Sequence, residues 1–571
     1  MSDDRWMTER YDVIVVGSGA GGLLAALRLH DLGMKVLVVE KSDRYGGTSA
    51  LSGGALWIPN REELKGESPE RALEYLRACS GNEASTDHLR AYTTNAPLLV
   101  RYLADAAGLR YYTGFMPDYY GNAPGAMTGR SMNVPIVDGT PLGEEFFRLR
   151  ESHQAKRLFG RIAVDGGLEA RNLLQFRSGW QLVAAKLFLR YWLDLPWRLK
   201  TPRDRRLTGG QALIGGLRLA MMKRSLPQAL NTRLLRLNKK SGRVQGGVFL
   251  RNGNEISLSC ERAIVLAAGG FEQNQEMRKR YLPNPTDRKW STTARGINNG
   301  DAITAGQEIG ASVEFMRYAW WVPVARFPST LVPNVDLTEG LFFARCYPHS
   351  MCVNRLGHRF VNESCSYDQF GQAMIEDHRK TNANMPAWMI FDANFRRKYP
   401  VGGMMPSYIA PDRSLPLEWL DNVYYRANSL TELAAKIQVD PSELANSAEK
   451  MNRYASTGVD PDFGRGGSDF DLTFGDSSNR PNPCLGTIDK PPFYAICVEL
   501  GDLGTKGGLR IDACARVLDE DDQPIQGLYA IGNTAGCVFA SAYPGGGGTL
   551  GPAMTFGFIA ANEIGKKDVR Q

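Results

Sequence analysis

Apolar residues fall along this chain in short runs that end in glycine. Residues 11–16, YDVIVV, are apolar and β-branched with little polar alternation, the pattern of a strand buried on both faces of a parallel sheet. Leu23, Leu24, Leu27 and Leu29, with alanine between them, predict a packed helix over 21–33 that stops at Gly33. KVLVVE at 35–40 is the next strand, which completes a β-α-β unit. Two further apolar strands run into small residues, AIVLAAGGF at 263–271 and GLYAIGNTAG at 527–536. Three such strands so far apart predict one sheet assembled from distant pieces. The stretch from about 280 to 487 is richer in aromatics, proline and loops, and reads as an inserted α+β domain. Around PPFYAICVE (491–499) the chain is expected to return to the first domain.

The glycines between strand and helix change this from a fold pattern to a ligand pattern. Gly17-Ser-Gly19-Ala-Gly-Gly22 is a G-x-G-x-x-G directly after a strand and opening a helix. The first glycine makes the turn, the second lets backbone approach a pyrophosphate, and the third lets helix pack on strand. The helix N-terminus then faces the phosphates. Glu40 ends the second strand, where a carboxylate accepts hydrogen bonds from a ribose diol and argues against a 2′-phosphate. NAD is the rival ligand, but the next loop favours a flavin dinucleotide. Arg44-Tyr-Gly-Gly47-Thr48-Ser49-Ala-Leu-Ser-Gly53-Gly54 is dense in glycine and hydroxyls. Such a loop wraps a diphosphate and lies beside a flat ring system.

Composition excludes more than it identifies. The 571 residues include 43% hydrophobic and 23% charged residues, ordinary values for a globular protein. Nine cysteines, an odd count with no C-x-x-C pair, fit neither a disulfide framework nor a zinc site. Reduced thiols, and a start (MSDDRWMTER) without a signal-peptide pattern, lead to an expected cytoplasmic location. No metal site is expected. The net charge of +7 is unevenly placed. Between Arg148 and Arg224 there are seventeen Lys/Arg against five Asp/Glu, so the rest of the chain is net acidic. Within residues 148–206, Trp180, Trp192 and Trp197 interleave with leucine, and Lys186 and Arg190 sit four apart. That composition suits an in-plane helix on anionic lipid, so this insertion is a candidate peripheral contact with the inner face of the cell membrane. Packing on the core or on a partner subunit is the other reading. No nucleic-acid module accompanies the charge.

The pieces VVGSGAGG, VEKSDRYGGTSALSGG, LAAGGFEQN, GLYAIGN and YPGGGGTLGPAMTFGFIAA together resemble the fumarate reductase-like flavoprotein superfamily, over nearly the whole chain. The resemblance implies an α/β protein. Its Rossmann-like FAD-binding domain would comprise 1–279 and 488–571, with a catalytic α+β domain inserted at 280–487. The implied FAD contacts are Gly17, Gly19, Ala20, Gly22, Glu40, Lys41, Gly47, Thr48, Ser49, Gly53, Gly54, Ala268, Gly269, Asn533 and Leu550. None of the six histidines lies in these loops, so the FAD is expected to be held non-covalently.

Within that superfamily the chain looks like the 3-ketosteroid Δ1-dehydrogenases. The local matches are Met116-Pro-Asp-Tyr119-Tyr120, Arg359-Phe-Val-Asn-Glu363-Ser-Cys-Ser-Tyr367 and Ser541-Ala-Tyr543-Pro-Gly-Gly-Gly547. Carried over by position, they imply catalytic roles for Tyr119, Tyr367, Tyr543 and the backbone N–H of Gly547. The chemistry accounts for the set. Charge develops on O3 as the proton leaves C2, so a tyrosine hydroxyl and a backbone N–H act there as an oxyanion hole. Tyr543 and Gly547 suit that task. A free tyrosine, with a pKa of about 10, is a poor base at neutral pH unless a second hydroxyl supports its phenolate. Tyr367 is therefore assigned as base and Tyr119 as its supporting partner. The Tyr318-Ala-Trp320-Trp321 run is expected to line an apolar substrate pocket. An external electron acceptor, a quinone or similar, is implied. Rival readings are a Δ4-dehydrogenase of the same superfamily and a non-catalytic, membrane-associated flavin electron-transfer protein. Fumarate reductases hold a dicarboxylate with arginine and histidine, and no such pair stands in the matching motifs.

Overall fold

A computed structural model of the chain describes residues 4–153, 157–158, 160–174, 179–329 and 336–566. Strand β1 (Tyr11–Val16) is buried and gives way to helix α1 (Ala20–Asp31), then to β2 (Val36–Val39). β1 runs parallel to β2, with Val13 opposite Val36. On its other side it runs parallel to the end of β3 (Asn254–Leu266), with Val16 opposite Leu266. The second sheet is built around β4 (Ala319–Pro328) and is followed by helix α2 (Tyr367–Thr381) and the long strand β5 (Phe493–Thr505). The chain then returns to the first sheet through β6 (Pro524–Ala530), parallel to β3, with Leu266 opposite Ala530. The three glycine-ended strands of the sequence thus lie side by side in one parallel core. Val, Ile and Leu fill both faces, as burial on two sides demands.

Helix α3 (Leu550–Gly565) covers one face of this sheet against α1. The two helices meet through glycine. A Cβ at Gly21 would stand 2.7 Å from the carbonyl oxygen of Ala553, and one at Gly557 would stand 2.9 Å from that of Gly21. The apolar run at the chain's end therefore serves to bring two backbones together at the mouth of the first β-α turn.

The second sheet is antiparallel. β5 pairs with β4 (Leu500 opposite Pro323), with strand Ala387–Phe391 and with strand Tyr424–Ala427. The return to the first domain was expected near residue 488, but β5 belongs to this inserted sheet, and the first sheet is rejoined only at Arg516–Leu518 and β6. The reason is that β5 is buried on both faces, so its composition suits either sheet and only its neighbours distinguish them. The two sheets are joined where β5 ends. Asp502 pairs with Arg278 at 2.6 Å, both without solvent exposure, and accepts from Ser291 Oγ at 2.8 Å. Thr505 Oγ1 accepts from Phe271 N at 3.1 Å, just after β3.

The basic segment forms a helical hairpin, with helices at Leu168–Leu174 and Trp180–Leu193; its residues 154–156, 159 and 175–178 lie outside the described ones. Its three tryptophans differ in fate. Trp197 is buried against Phe146, at 5.1 Å between ring centroids, whereas Trp192 is half exposed. Arg190 pairs with Asp204 at 3.1 Å while Lys186 is exposed, so the two do not form one free cationic face. Arg205 and Arg206 likewise pair within the segment, with Asp194 and Glu169. Much of its charge is spent internally.

Candidate active site

The parallel strands β1, β3 and β6 all end at one side of the first sheet, and a single elongated cavity of about 360 Å³ opens there, bounded on its far wall by the second sheet's helix α2. Every site residue expected from the sequence lines it, from Gly17, Glu40 and Lys41 at one end to Tyr119, Tyr367, Tyr543 and Gly547 at the other.

The glycine-rich end is shaped by backbone. Gly17 has φ +112, and a Cβ there would collide with the carbonyl oxygen of Ala267 at the end of β3. Helix α1 opens at Ala20 after Gly19, which has no side chain to cap it; only Ala20 N meets Ser49 Oγ, and the donors that follow it face a ligand site. Glu40 is buried. Its Oε2 accepts from Ser18 N (3.1 Å) and Ser18 Oγ (2.6 Å), and its Oε1 accepts from Ser42 N (3.0 Å). These bonds hold a carboxylate at the cavity wall. Lys41 instead pairs with Asp301 at 2.7 Å. Ser49 Oγ accepts from Ala20 N at 3.1 Å, which closes the second glycine loop over the start of α1. A helix start opened by glycine, a buried acid and walls lined by glycine fit the pyrophosphate, ribose and ring system of a flavin dinucleotide.

The other end is aromatic. The Tyr119 hydroxyl donates to the Tyr367 hydroxyl at 2.7 Å, and both rings lie against Tyr543, at 5.1 and 5.6 Å between centroids. All three tyrosines are buried. Thr549 Oγ1 donates to the Tyr543 hydroxyl at 3.2 Å, which leaves the phenolic proton of Tyr543 available to an acceptor in the cavity. Burial pushes all three phenols above the ordinary tyrosine range, Tyr119 and Tyr367 furthest. The lowering expected for Tyr367 is not met: removal from water disfavours the phenolate, and its two phenolic neighbours raise it further.

Each tyrosine is braced from behind. Asp118, next to Tyr119, accepts from Trp57 Nε1 at 2.8 Å and pairs with Arg130 at 2.7 Å. Its carboxyl is pushed up to about 6 by burial. Tyr119 N donates to the carbonyl of Pro544, as does the Tyr75 hydroxyl, at 3.0 and 2.5 Å. The segments that carry Tyr119 and Tyr543 are thereby bound to each other. Tyr120 lies outside this cavity's lining, and its hydroxyl accepts from Tyr543 N at 3.5 Å.

The aromatic wall differs from the one expected. Trp320 packs behind Tyr543 at 4.7 Å, Trp321 is in the core, and Tyr318 bonds to Glu83 at the surface. None of the three lines the cavity. Met116, Phe342 and Phe343 do so instead, because the pleat of β4 sends its adjacent tryptophans to opposite faces, Trp320 behind Tyr543 and Trp321 against Gly371 of α2. Asn298 and Asp301, also at the wall, were missed by sequence reasoning, although their run, Gly296-Ile-Asn-Asn-Gly-Asp301, is a small, polar loop of the kind used elsewhere in this site.

Comparison with known proteins agrees with this geometry. The FAD binding domain family matches residues 12–550. A 3-oxosteroid 1-dehydrogenase of Mycolicibacterium smegmatis is 37% identical, with 97% of each chain covered. The crystal structure of a 3-ketosteroid delta1-dehydrogenase from Sterolibacterium denitrificans, in complex with 1,4-androstadiene-3,17-dione, superposes with a TM-score of 0.93 at 48% identity, covering 97% of this chain and 99% of that one. A 3-ketosteroid-delta4-(5alpha)-dehydrogenase from Rhodococcus jostii shares the fold alone, with a TM-score of 0.62 at 20% identity over 98% and 97% of the two chains. The chain belongs to the FAD binding domain family and is an FAD-dependent flavoenzyme of the fumarate reductase-like fold. Within that class its relatives over nearly the full length include the 3-oxosteroid 1-dehydrogenases.

Gly547 tests the backbone side of the site. Its φ is +99, and a Cβ would stand 2.5 Å from the backbone of Leu56 and Trp57. Neither can yield without moving its strand. Gly547→Ala is expected to cost at least about tenfold in kcat/KM, as the loop is displaced from its productive geometry. Steady-state kinetics on the purified holoenzyme measures it.

Proposed function

We propose that the chain dehydrogenates 3-oxosteroids between C1 and C2, with Tyr543 and Gly547 holding O3, Tyr367 receiving the C2 proton and Tyr119 supporting Tyr367. The observation that carries this reading is the 2.7 Å bond between the Tyr119 and Tyr367 hydroxyls beside Tyr543, in the same cavity as the glycine-lined dinucleotide end. FAD, bound non-covalently, supplies the acceptor for the hydride that leaves C1. No histidine or cysteine is among the residues lining the cavity, which supports non-covalent binding, and acid precipitation should release all the flavin.

The chain's own groups do the remaining work. The Tyr543 hydroxyl, polarised by Thr549, donates to O3 and stabilises the enolate as it forms. Tyr367 takes the C2 proton, and the Tyr119 O–H donates to the phenolate form of Tyr367 that does so. Phe342 and Met116 keep the steroid's flat apolar rings out of water. In this reading the steroid lies between Tyr367 and the flavin, so proton and hydride leave from opposite faces of the substrate.

The hairpin at 148–206 supports a second element of this reading, a peripheral contact with an anionic membrane surface. Helix Trp180–Leu193 buries Leu187 and Tyr191 but exposes Leu182 (76%), Leu189 (57%) and Leu193 (73%), with Leu195 and Leu199 beyond it. Lys186 and Lys200 are exposed beside them. An apolar face with basic residues at its rim is the composition of an interfacial helix. Among the described residues no helix is long and apolar enough to cross a membrane. A steroid dissolved in the bilayer, and a quinone there as electron acceptor, would both reach a protein docked in this way.

Three measurements test these assignments. Tyr367→Phe and Tyr543→Phe are each expected to lower kcat by at least about a hundredfold with FAD content unchanged; a near-normal rate in either removes that residue from the mechanism. Because burial raises the Tyr367 phenol, its phenolate is the minor form at neutral pH and grows as pH rises. The kcat of the wild-type enzyme should therefore climb with pH across the alkaline range up to about 10, and a flat profile over that range contradicts the assignment of the base. In flotation with vesicles containing phosphatidylglycerol, wild type should float with the lipid and a Leu182→Glu, Leu189→Glu, Leu193→Glu variant should remain below. Equal distribution of the two proteins would exclude the membrane contact.

A further inference from the structure

Behind Tyr543 lies a buried ion pair that the proposed chemistry does not use. Lys506 directly follows β5, and Asp368 is the second residue of α2, next to Tyr367. Their side chains are 1% and 0% exposed. The Lys506 ammonium donates to the carbonyl of Ser541 at 2.6 Å and stands 3.3 Å from Asp368 Oδ1. It also lies over the Trp320 ring, 4.7 Å from its centroid, and Trp320 packs against Tyr543. The Asp368 carboxylate in turn accepts from Trp321 N at 3.1 Å and from Gln372 Nε2 at 2.7 Å. One cation and one anion thus fasten four separate pieces of chain: the end of β5, the start of α2 that carries Tyr367, β4 at Trp321, and the turn that carries Tyr543.

Burying two charges in a dry interior is costly, and an apolar pair of similar size is often as stable. What an ion pair adds is a defined arrangement of its neighbours. Tyr367 and Tyr543 come from segments far apart in sequence, and their rings must face one substrate from fixed positions 5.6 Å apart. We propose that Lys506 and Asp368 are positioning residues that hold Tyr367 and Tyr543 in their mutual geometry, and that turnover depends on this pair. The proposal rests on the roles given above to those two tyrosines.

The test uses purified FAD-loaded enzyme with androst-4-ene-3,17-dione as substrate. Lys506→Met alone strands a buried carboxylate, and Asp368→Asn alone strands a buried ammonium, so the decisive protein is the double variant K506M/D368N, which removes both charges together. It should keep its FAD, bind substrate with KM within about threefold of wild type, and lose about ten- to a hundredfold in kcat, the scale on which misplacement by about 1 Å acts. A loss confined to kcat marks an interaction felt in the transition state, whereas general loosening of the pocket raises KM. A double variant with kcat within about twofold of wild type overturns the proposal, and so does one that cannot retain FAD, since the pair would then serve the fold as a whole. Tyr367→Phe and Tyr543→Phe are measured alongside. If they retain activity, the reading of the site itself fails; if they collapse while the double variant does not, only the inference about the pair is lost.

Discussion

Backbone approaching backbone is the constraint on which this molecule depends. At Gly17, Gly21 and Gly547 a single added carbon would meet main-chain atoms of another segment, and no rotamer change could relieve that contact. Those close approaches place the turn after β1 against β3, helix α1 against α3, and the Tyr543-bearing turn against Leu56–Trp57. Together they leave an elongated space whose walls at one end carry almost no side chains. A dinucleotide needs such a surface, because its phosphates are held by main-chain donors and its ring by a flat contact.

At the other end of the same cavity the physics reverses. Three phenols are gathered where water is scarce, so each resists ionisation. The same dryness strengthens any hydrogen bond made to charge that develops on a substrate oxygen. The site therefore gains in stabilising an enolate, while the phenolate of its tyrosine is sparsely populated at rest. The bracing is correspondingly dense. Asp118, Arg130 and Tyr75 hold the Tyr119 segment, and Lys506 and Asp368 tie the Tyr367 and Tyr543 segments together.

The family relationship sets the chemistry in context. A chain that superposes on a 3-ketosteroid delta1-dehydrogenase over nearly its whole length shares that enzyme's scaffold. The delta4-(5alpha)-dehydrogenase shares the fold at much lower identity. A common fold thus carries both a delta1- and a delta4-(5alpha)-dehydrogenase.

Local signals carried much of this into the sequence. The strand-glycine-helix pattern at 11–33, Glu40 at the end of β2 and the glycine run around Tyr543 each depend on residues close together in the chain, and each imposes a backbone geometry that few residue types satisfy. The dinucleotide fold and the cavity-lining tyrosines were therefore legible from sequence and resemblance. The membership of β5 was not, because a strand buried on both faces has the same composition whichever sheet it joins. Nor was the placing of Trp320 and Trp321 off the cavity, since what a strand's side chains meet depends on its register with neighbours 170 or more residues away. The Lys506–Asp368 pair was equally silent, because 138 residues separate its members and only folding reveals that a buried charge has a partner. The sequence by itself determined which backbone shapes the chain must adopt. The tertiary structure decided which distant side chains meet, because burial and charge pairing depend on neighbours that only the fold brings within reach.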